Sequence, residues 1–369
     1  MIYLDHNATT PLDERVLEAM LPFLQSYYGN PSSLYRHGRL TRSAINAARE
    51  QVAALVGVSA GQIIFTSGGT EANNLALATP GLARKLAVSA IEHPSVLEPA
   101  LQLQRQGHEL QIMPVNNDGY ITQDAINQVI EYQPQLVSMM LANNETGVIQ
   151  PVADYADQLK ANNIRVHTDA VQALGKIPVQ FDALNVDLMT LSAHKIYGAK
   201  GCGALVTGRG VTVNPLIHGG GQEQNLRSGT ENVAAIVAFG KAAELAQQEL
   251  VQRGKHLFSL RILLEQLLVS IPDITFFGEY AFRLPNTLLF GIEGIDGEML
   301  VMQLDQKSMA VASGSACASG GNAPSHVLLA MGISPEQAKT AVRVSLGVAN
   351  TASEIVNFFK QLTALVSRD

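Results

Sequence analysis

The chain has 369 residues, 47% of them hydrophobic and 15% charged, with a formal net charge of −7. That leaves room for one large core and a smaller one, and the acidic balance excludes sequence-independent binding to nucleic-acid phosphates. No run reaches the roughly 18 apolar residues that would span a bilayer, and the opening MIYLDHNATT lacks a targeting pattern, so a cytoplasmic protein with small-molecule or protein partners is expected.

A first helix is expected to open at Pro11 behind a Thr10 cap, and a second to run through Leu40 to Val56 and stop at Gly57. From about residue 60 to 210, short apolar or β-branched runs alternate with helical patterns. The runs are Ile63 to Thr66, Leu86 to Ser89, Gln111 to Val115, Leu136 to Leu141, Arg165 to Thr168, Asp187 to Leu191 and Ala204 to Val206. The helical patterns include Glu71 to Ala78, Ser95 to Gln106, Thr122 to Glu131 and Val152 to Asn162. Strict alternation predicts an α/β fold with a mostly parallel central sheet covered on both faces. After Glu231 a long helical stretch reaches about Ser270. Strand-like Ile274 to Phe277 and Asn286 to Gly291, a helix from Gly297 to Gln306, strand-like Val342 to Ser345 and a last helix from Thr351 follow. These form a smaller α+β domain, with a boundary near residue 245: 15–245 make the large domain, and 1–14 with 246–369 the small one. Repeats and low-complexity tracts are absent.

In an open parallel sheet, residues just past the strands carry the chemistry. Thr66-Ser67-Gly68-Gly69-Thr70-Glu71 ends a strand, turns on glycines and enters a helix. Small residues and the free amides of a helix start suit a phosphate, although ordinary turn chemistry reads the same way. The turn has neither the dinucleotide nor the P-loop glycine pattern. Thr168-Asp169-Ala170-Val171-Gln172 and Ser192-Ala193-His194-Lys195 bring a carboxylate and an amine to two further strand ends. Pyridoxal phosphate (PLP) needs such a pair, the acid for its ring nitrogen and the amine to carry it. A plain Asp169–Lys195 salt bridge is the alternative.

Seven segments in order carry a resemblance: Tyr3 to Thr10 (YLDHNATT), Gly29 to Ser33 (GNPSS), Thr66 to Asn74 (TSGGTEANN), Asn143 to Gly147 (NNETG), Ser192 to Gly198 (SAHKIYG), Arg227 to Thr230 (RSGT) and Ser313 to Cys317 (SGSAC). Together they closely resemble the NifS/IscS-like cysteine desulfurases of the class V aminotransferase group, which are fold-type I PLP enzymes. The resemblance runs from residue 2 to about 350. It implies a large PLP-binding domain and a small domain carrying a catalytic cysteine loop.

Carried over position by position, the resemblance makes Lys195 the lysine that carries PLP, Asp169 the partner of the ring nitrogen and Gln172 a donor to the ring hydroxyl. His93 matches a histidine that stacks on the ring and moves protons, work suited to its titration range. Gly69, Thr70 with its neighbouring amides, Ser192 and His194 correspond to a phosphate cup, completed by Thr230 from the second subunit of a homodimer. Asn144 would touch cofactor and substrate, and Arg343 would clamp the substrate carboxylate. The other reading of Arg343 is a surface ion pair, disfavoured by its apolar strand.

Of the two cysteines, Cys317 lies in a segment of small residues without apolar periodicity, which reads as a mobile loop suited to a nucleophile. Cys202 leads into a strand and reads as a small buried hydrophobe. Neither a disulfide nor a metal site is expected. The implied activity is removal of sulfur from L-cysteine, giving L-alanine and a Cys317 persulfide for a sulfur-acceptor protein, for iron-sulfur cluster assembly or thiolation. Selenocysteine lyases, kynureninases and small-amino-acid aminotransferases would share the cofactor site without requiring Cys317. A non-enzymatic persulfide carrier would have a degraded one. Housekeeping family members carry a further C-terminal segment used with an iron-sulfur scaffold protein, past the point where this chain stops. Glu231-Asn232 also departs from the more apolar or proline-containing sequence expected after Thr230, which reads as a different helix start.

Overall fold

Successive strand residues point to opposite faces of a sheet, and in the central strands both sets are apolar. Ile63, Phe65, Ala87, Val137, Met189, Leu191, Ala204 and Val206 fall in one core. Their neighbours Ile64, Leu86, Val88, Leu136, Leu188 and Leu205 fall in another. Both faces must therefore be covered. The first is packed by helices Arg36–Val56, Gln123–Tyr132 and Val152–Ala161 and by the first half of Val233–Leu268. Helices Gly69–Ala78 and Pro94–Arg105 pack the second.

The computed structural model describes residues 1–79, 85–314 and 323–367. Its strands in chain order are β1 (Ile2–Tyr3), β2 (Ile63–Thr66), β3 (Lys85–Ser89), β4 (Glu109–Met113), β5 (Leu136–Ser138), β6 (Arg165–Asp169), β7 (Leu188–Ser192), β8 (Gly203–Thr207), β9 (Ile274–Phe276), β10 (Thr287–Ile292), β11 (Met309–Ala310), β12 (Ala312–Ser313) and β13 (Val342–Ser345). The central sheet has seven strands in the order β2-β8-β7-β6-β5-β3-β4. Strands β4, β3, β5, β6 and β7 are parallel, and β8 is antiparallel to both neighbours. The mostly parallel sheet is as expected, but strict strand-helix alternation fails between β7 and β8. An antiparallel neighbour needs no crossover helix, so only residues 193–202 intervene, with a single 3-10 turn at Ala193–Lys195. The chain moves outward from β3 to β4 and returns to the other side of β3 as β5. Such a reversal opens a crevice at the carboxyl ends of the strands.

The first helix starts later than Pro11. It spans Glu14–Gln25 with Asp13 as its cap, the carboxylate accepting from Arg15 N–H. Thr10 is occupied elsewhere: its hydroxyl donates to the His194 carbonyl and accepts from Tyr197 N–H. Tying the N-terminal segment to the β7–β8 link takes the hydroxyl that would have capped the helix. The second helix ends as its glycine suggests, with Gly57 at φ 74 and its N–H returned to Ala53 and Ala54 carbonyls.

Helix Val233–Leu268 begins behind the side chain of Asn232, which accepts from Ala235 N–H. It runs unbroken through residue 245. Its buried residues to Ala246 belong to the first core, whereas Leu257, Leu260, Leu264 and Leu268, at helical spacing, belong to a third that also holds Leu4. That core lies under an antiparallel sheet in the order β12-β13-β10-β9 and includes Ile355, Phe358 and Leu362 of helix Ala352–Val366.

Cys202 is 2% exposed, packed in the first core at the foot of β8. Burial pushes its thiol well above the ordinary cysteine value, which leaves it an inert small hydrophobe. A Cys317→Ser variant, with Cys202 as its remaining thiol, is expected to resist a thiol reagent such as Ellman's until it is unfolded. Rapid modification of the folded variant would contradict that burial.

Candidate active site

Four strand ends meet at the crevice. Asp169 closes β6, and Ser192 closes β7 and leads to His194 and Lys195 on the 3-10 turn. Past β3, His93 caps helix Pro94–Arg105, while past β2 the chain enters helix Gly69–Ala78. The segment Asp5 to Ala8 crosses the crevice and bridges to β13 at Ser345. Between them lies a cavity of about 420 Å³. It shares Thr70, His93 and Ser95 with a neighbouring cavity of about 750 Å³.

Asp169 and Lys195, for which a plain ion pair is the alternative reading, are each held by other groups. One Asp169 oxygen accepts from Asn73 Nδ2 at 2.8 Å and the other from Val171 N–H at 2.9 Å. Asn73 Nδ2 also donates to Ser95 Oγ, which lies 2.7 Å from His93 Nδ1. That nitrogen accepts from Ser95 N–H, so the neutral ring carries its proton on Nε2. Burial lowers the His93 titration, with Lys195 and His326 adding to the effect and Asp169 opposing it. Lys195 Nζ donates to the carbonyls of Asn7 and Ala8.

Two buried carboxylates flank this set. Glu92 accepts from Met140 N–H at 2.5 Å, and burial, reinforced by the charge of Asp169, raises it well above the carboxylate range. Glu145 accepts from Ser325 Oγ at 2.5 Å; burial raises it too. Arg343, 4% exposed on β13, donates to Asp5 Oδ1 at 2.7 Å and to the Asn144 carbonyl at 3.0 Å. The surface ion pair weighed for it is thus a partly buried one, anchored to the segment that crosses the crevice. Its Nε has no partner among the described residues.

Near Gly69 the cavity has the makings of an anion cradle. The first turn of helix Gly69–Ala78 leaves backbone N–H groups without intrahelical acceptors. Ser192 Oγ is buried without a hydrogen-bond partner among the described residues, and a side chain at Gly69 would come within 3.2 Å of Val171 and 3.6 Å of Ser192 Cβ. His194 Nδ1 is 3.1 Å from Thr9 Oγ1; burial, then Lys195 and Lys200, hold that imidazole down to about 4. An unpaired hydroxyl and free amides fit a phosphate, and Asp169, Lys195 and His93 fit an aromatic aldehyde with a ring nitrogen. The donor set therefore fits PLP.

Ten sequence-derived candidates line the one cavity: Gly69, Thr70, His93, Asn144 and Asp169, with Gln172, Ser192, His194, Lys195 and Arg343. Thr230 is exposed and is not among the residues that line it. Cys317 lies outside the described residues. Gln172 reaches the cavity, but its amide nitrogen donates to the Asn7 carbonyl and its oxygen accepts from Lys176. Sequence reasoning gave no role to Asn73, Ser95 or Lys176. Asn73 had a usable signal, one helical turn after Thr70 on the helix leaving β2. Lys176 had none, because its burial depends on the N-terminal segment folding over it.

A model of the aminotransferase class-V family matches residues 2–358. Cysteine desulfurase IscS of Dictyoglomus turgidum is 43% identical, covering 96% of this chain and 91% of its own length. Among solved structures, a NifS-like protein superposes with a TM-score of 0.93 at 38% identity, covering 99% of each chain. A protein solved as SspA in complex with cysteine gives 0.81 at 31% identity, covering 94% of this chain and 99% of its own. With a matching family model over almost its whole length, relatives of this closeness and a cavity whose donors fit the cofactor, the chain belongs to the aminotransferase class-V family, among its cysteine desulfurases.

Proposed function

We propose that this chain is a PLP-dependent cysteine desulfurase that moves the sulfur of L-cysteine onto Cys317 and releases L-alanine. The observation that carries the reading is the convergence of Lys195, Asp169 and His93 with Arg343 in one cavity. A relative solved with cysteine bound supports the substrate. Lys195 would hold the cofactor through its amine and Asp169 would face the ring nitrogen, with Gln172 toward the ring hydroxyl. Gly69, Thr70, Ser192 and His194 would receive the phosphate, with Thr230 supplied by a second copy of the chain. When bound, PLP supplies the electron sink that makes the substrate Cα–H acidic and its Cβ–S bond breakable.

The chain's own groups do the rest. Arg343 binds the substrate carboxylate, sharing its fork with Asp5, while Asn144 lies beside it. The Lys195 amine, held over the crevice by the Asn7 and Ala8 carbonyls, would take the Cα proton. His93, held neutral, presents Nε2–H to the cavity for the return of a proton. The Cys317 thiolate attacks the substrate sulfur, forming an S–S bond as the Cβ–S bond breaks. The electron pair stays on carbon and is protonated to become the alanine methyl. Cysteine and one thiol thus give alanine and a persulfide, with no outside oxidant. The persulfide is passed to an acceptor protein, for cluster assembly or thiolation. A cytosolic setting, which keeps thiols reduced, suits this chemistry. No described helix is long and apolar enough to cross a membrane.

The purified protein should be yellow, and borohydride reduction followed by peptide mapping should find the cofactor on Lys195. Lys195→Ala should lose the colour. A colourless parent that takes up no added PLP would refute the reading.

Cys317→Ser should keep the colour and the spectral change on adding cysteine, since neither uses the thiol. Alanine release should fall by roughly 10²-fold or more, because a hydroxyl is a poor nucleophile toward sulfur. Alanine production at the parental rate would make the protein a lyase.

Sedimentation at assay concentration should show a homodimer, the common closed arrangement of soluble oligomers. An active monomer would remove Thr230 from the phosphate site.

A further inference from the structure

Lys176 lies four residues after Gln172 and is 7% exposed. Its amine donates to Gln172 Oε1 and to Asn7 Oδ1, both at 2.9 Å. Both acceptors are neutral amide oxygens. Burial, followed by the charges of Lys195 and Arg343, pushes the amine well below the ordinary lysine value. A lysine in such a place is not explained by ion pairing, since desolvating it is costly and, among the described residues, no carboxylate pairs with it. What it supplies is donors.

A side-chain amide has a donating and an accepting end of nearly the same shape, and its surroundings decide which end faces where. With Oε1 taken by Lys176, the Gln172 nitrogen must point the other way. There it gives one hydrogen to the Asn7 carbonyl at 3.0 Å. Its second hydrogen has no acceptor among the described residues, and Gln172 lines the cavity. Asn7 is oriented in the same manner: Oδ1 receives Lys176 and Asn286, while Nδ2 donates to the Asn144 carbonyl and Thr287 Oγ1.

We propose that Lys176 is a positioning residue for the cofactor site: by taking the oxygen ends of the Gln172 and Asn7 amides it makes Gln172 present an N–H, not a carbonyl, to the cavity. The inference rests on the proposed PLP site and adds a residue that touches neither cofactor nor substrate. Without Lys176, only the bond to the Asn7 carbonyl still fixes the sense of the Gln172 amide, so the amide can turn over part of the time and set a carbonyl oxygen against an electronegative ring substituent.

Lys176→Met, which matches the side chain's length and removes its donors, tests this against the parent, Gln172→Ala and the double variant. PLP affinity is measured by equilibrium dialysis, and the visible absorption maximum is recorded for each. Lys176→Met should weaken cofactor binding roughly tenfold, the scale of one misdirected hydrogen bond, and shift the band. In the Gln172→Ala background the same substitution should change affinity by less than twofold and leave the band in place. Parental affinity and an unmoved band in Lys176→Met would overturn the proposal. So would an equal effect with and without Gln172, since Lys176 would then act by another route. If thermal unfolding shows that the methionine form is not folded, Lys176→Leu, which also removes the donors, is read by the same criteria. Failure of the underlying reading is distinct: the parent itself would take up no PLP.

Discussion

Asn7 is 1% exposed and uses each of its four polar groups. Its backbone N–H donates to Ser345 Oγ, and its carbonyl accepts from Lys195 Nζ and Gln172 Nε2. Its side chain joins Lys176 and Asn286 on one end to Thr287 and the Asn144 carbonyl on the other. Lys195, Gln172 and Asn144 stand at the edge of the central sheet, while Thr287 and Ser345 face each other across β10 and β13 of the smaller one. A single buried amide near the chain's start therefore ties the two layers together over the cavity. Buried polar networks strengthen when complete and become costly when one member is lost. The arrangement of Lys195, Gln172 and Arg343 around the cavity accordingly depends on this segment being seated. Arg343 is held to the same segment through Asp5, and a side chain at Gly347 would strike the His6 ring at 2.0 Å.

Around that network, burial disfavours the charged forms of several groups. Glu92 is raised well above the carboxylate range by burial and by its neighbour Asp169. His93, His194 and Lys176 are pushed in the complementary direction, again chiefly by burial. His167 takes a structural part by the same means: held down to about 3 by burial, it links Ser138 on β5 to Thr190 on β7 through its two ring nitrogens.

The sequence by itself determined the layered α/β fold, because short continuous apolar runs alternating with helical patterns need both faces of a sheet covered and admit few other arrangements. It also determined most of the cavity wall, since residues at strand ends must gather at one edge once the strands are parallel; Asp169, Ser192, Lys195 and His93 were legible on that ground with the motifs around them. What it left open are contacts between segments far apart in the chain. Thr10 looked like a helix cap because capping is local, yet its hydroxyl is claimed by His194 and Tyr197. Arg343 could be read as buried from its apolar strand, but its partner Asp5 is brought to it by the parallel bridge to Ser345. Lys176 has no local signature at all. Only the tertiary structure, by laying Asn7 over the crevice, made its amine a buried donor, because burial and hydrogen-bond partners belong to the packed chain and not to its local pattern.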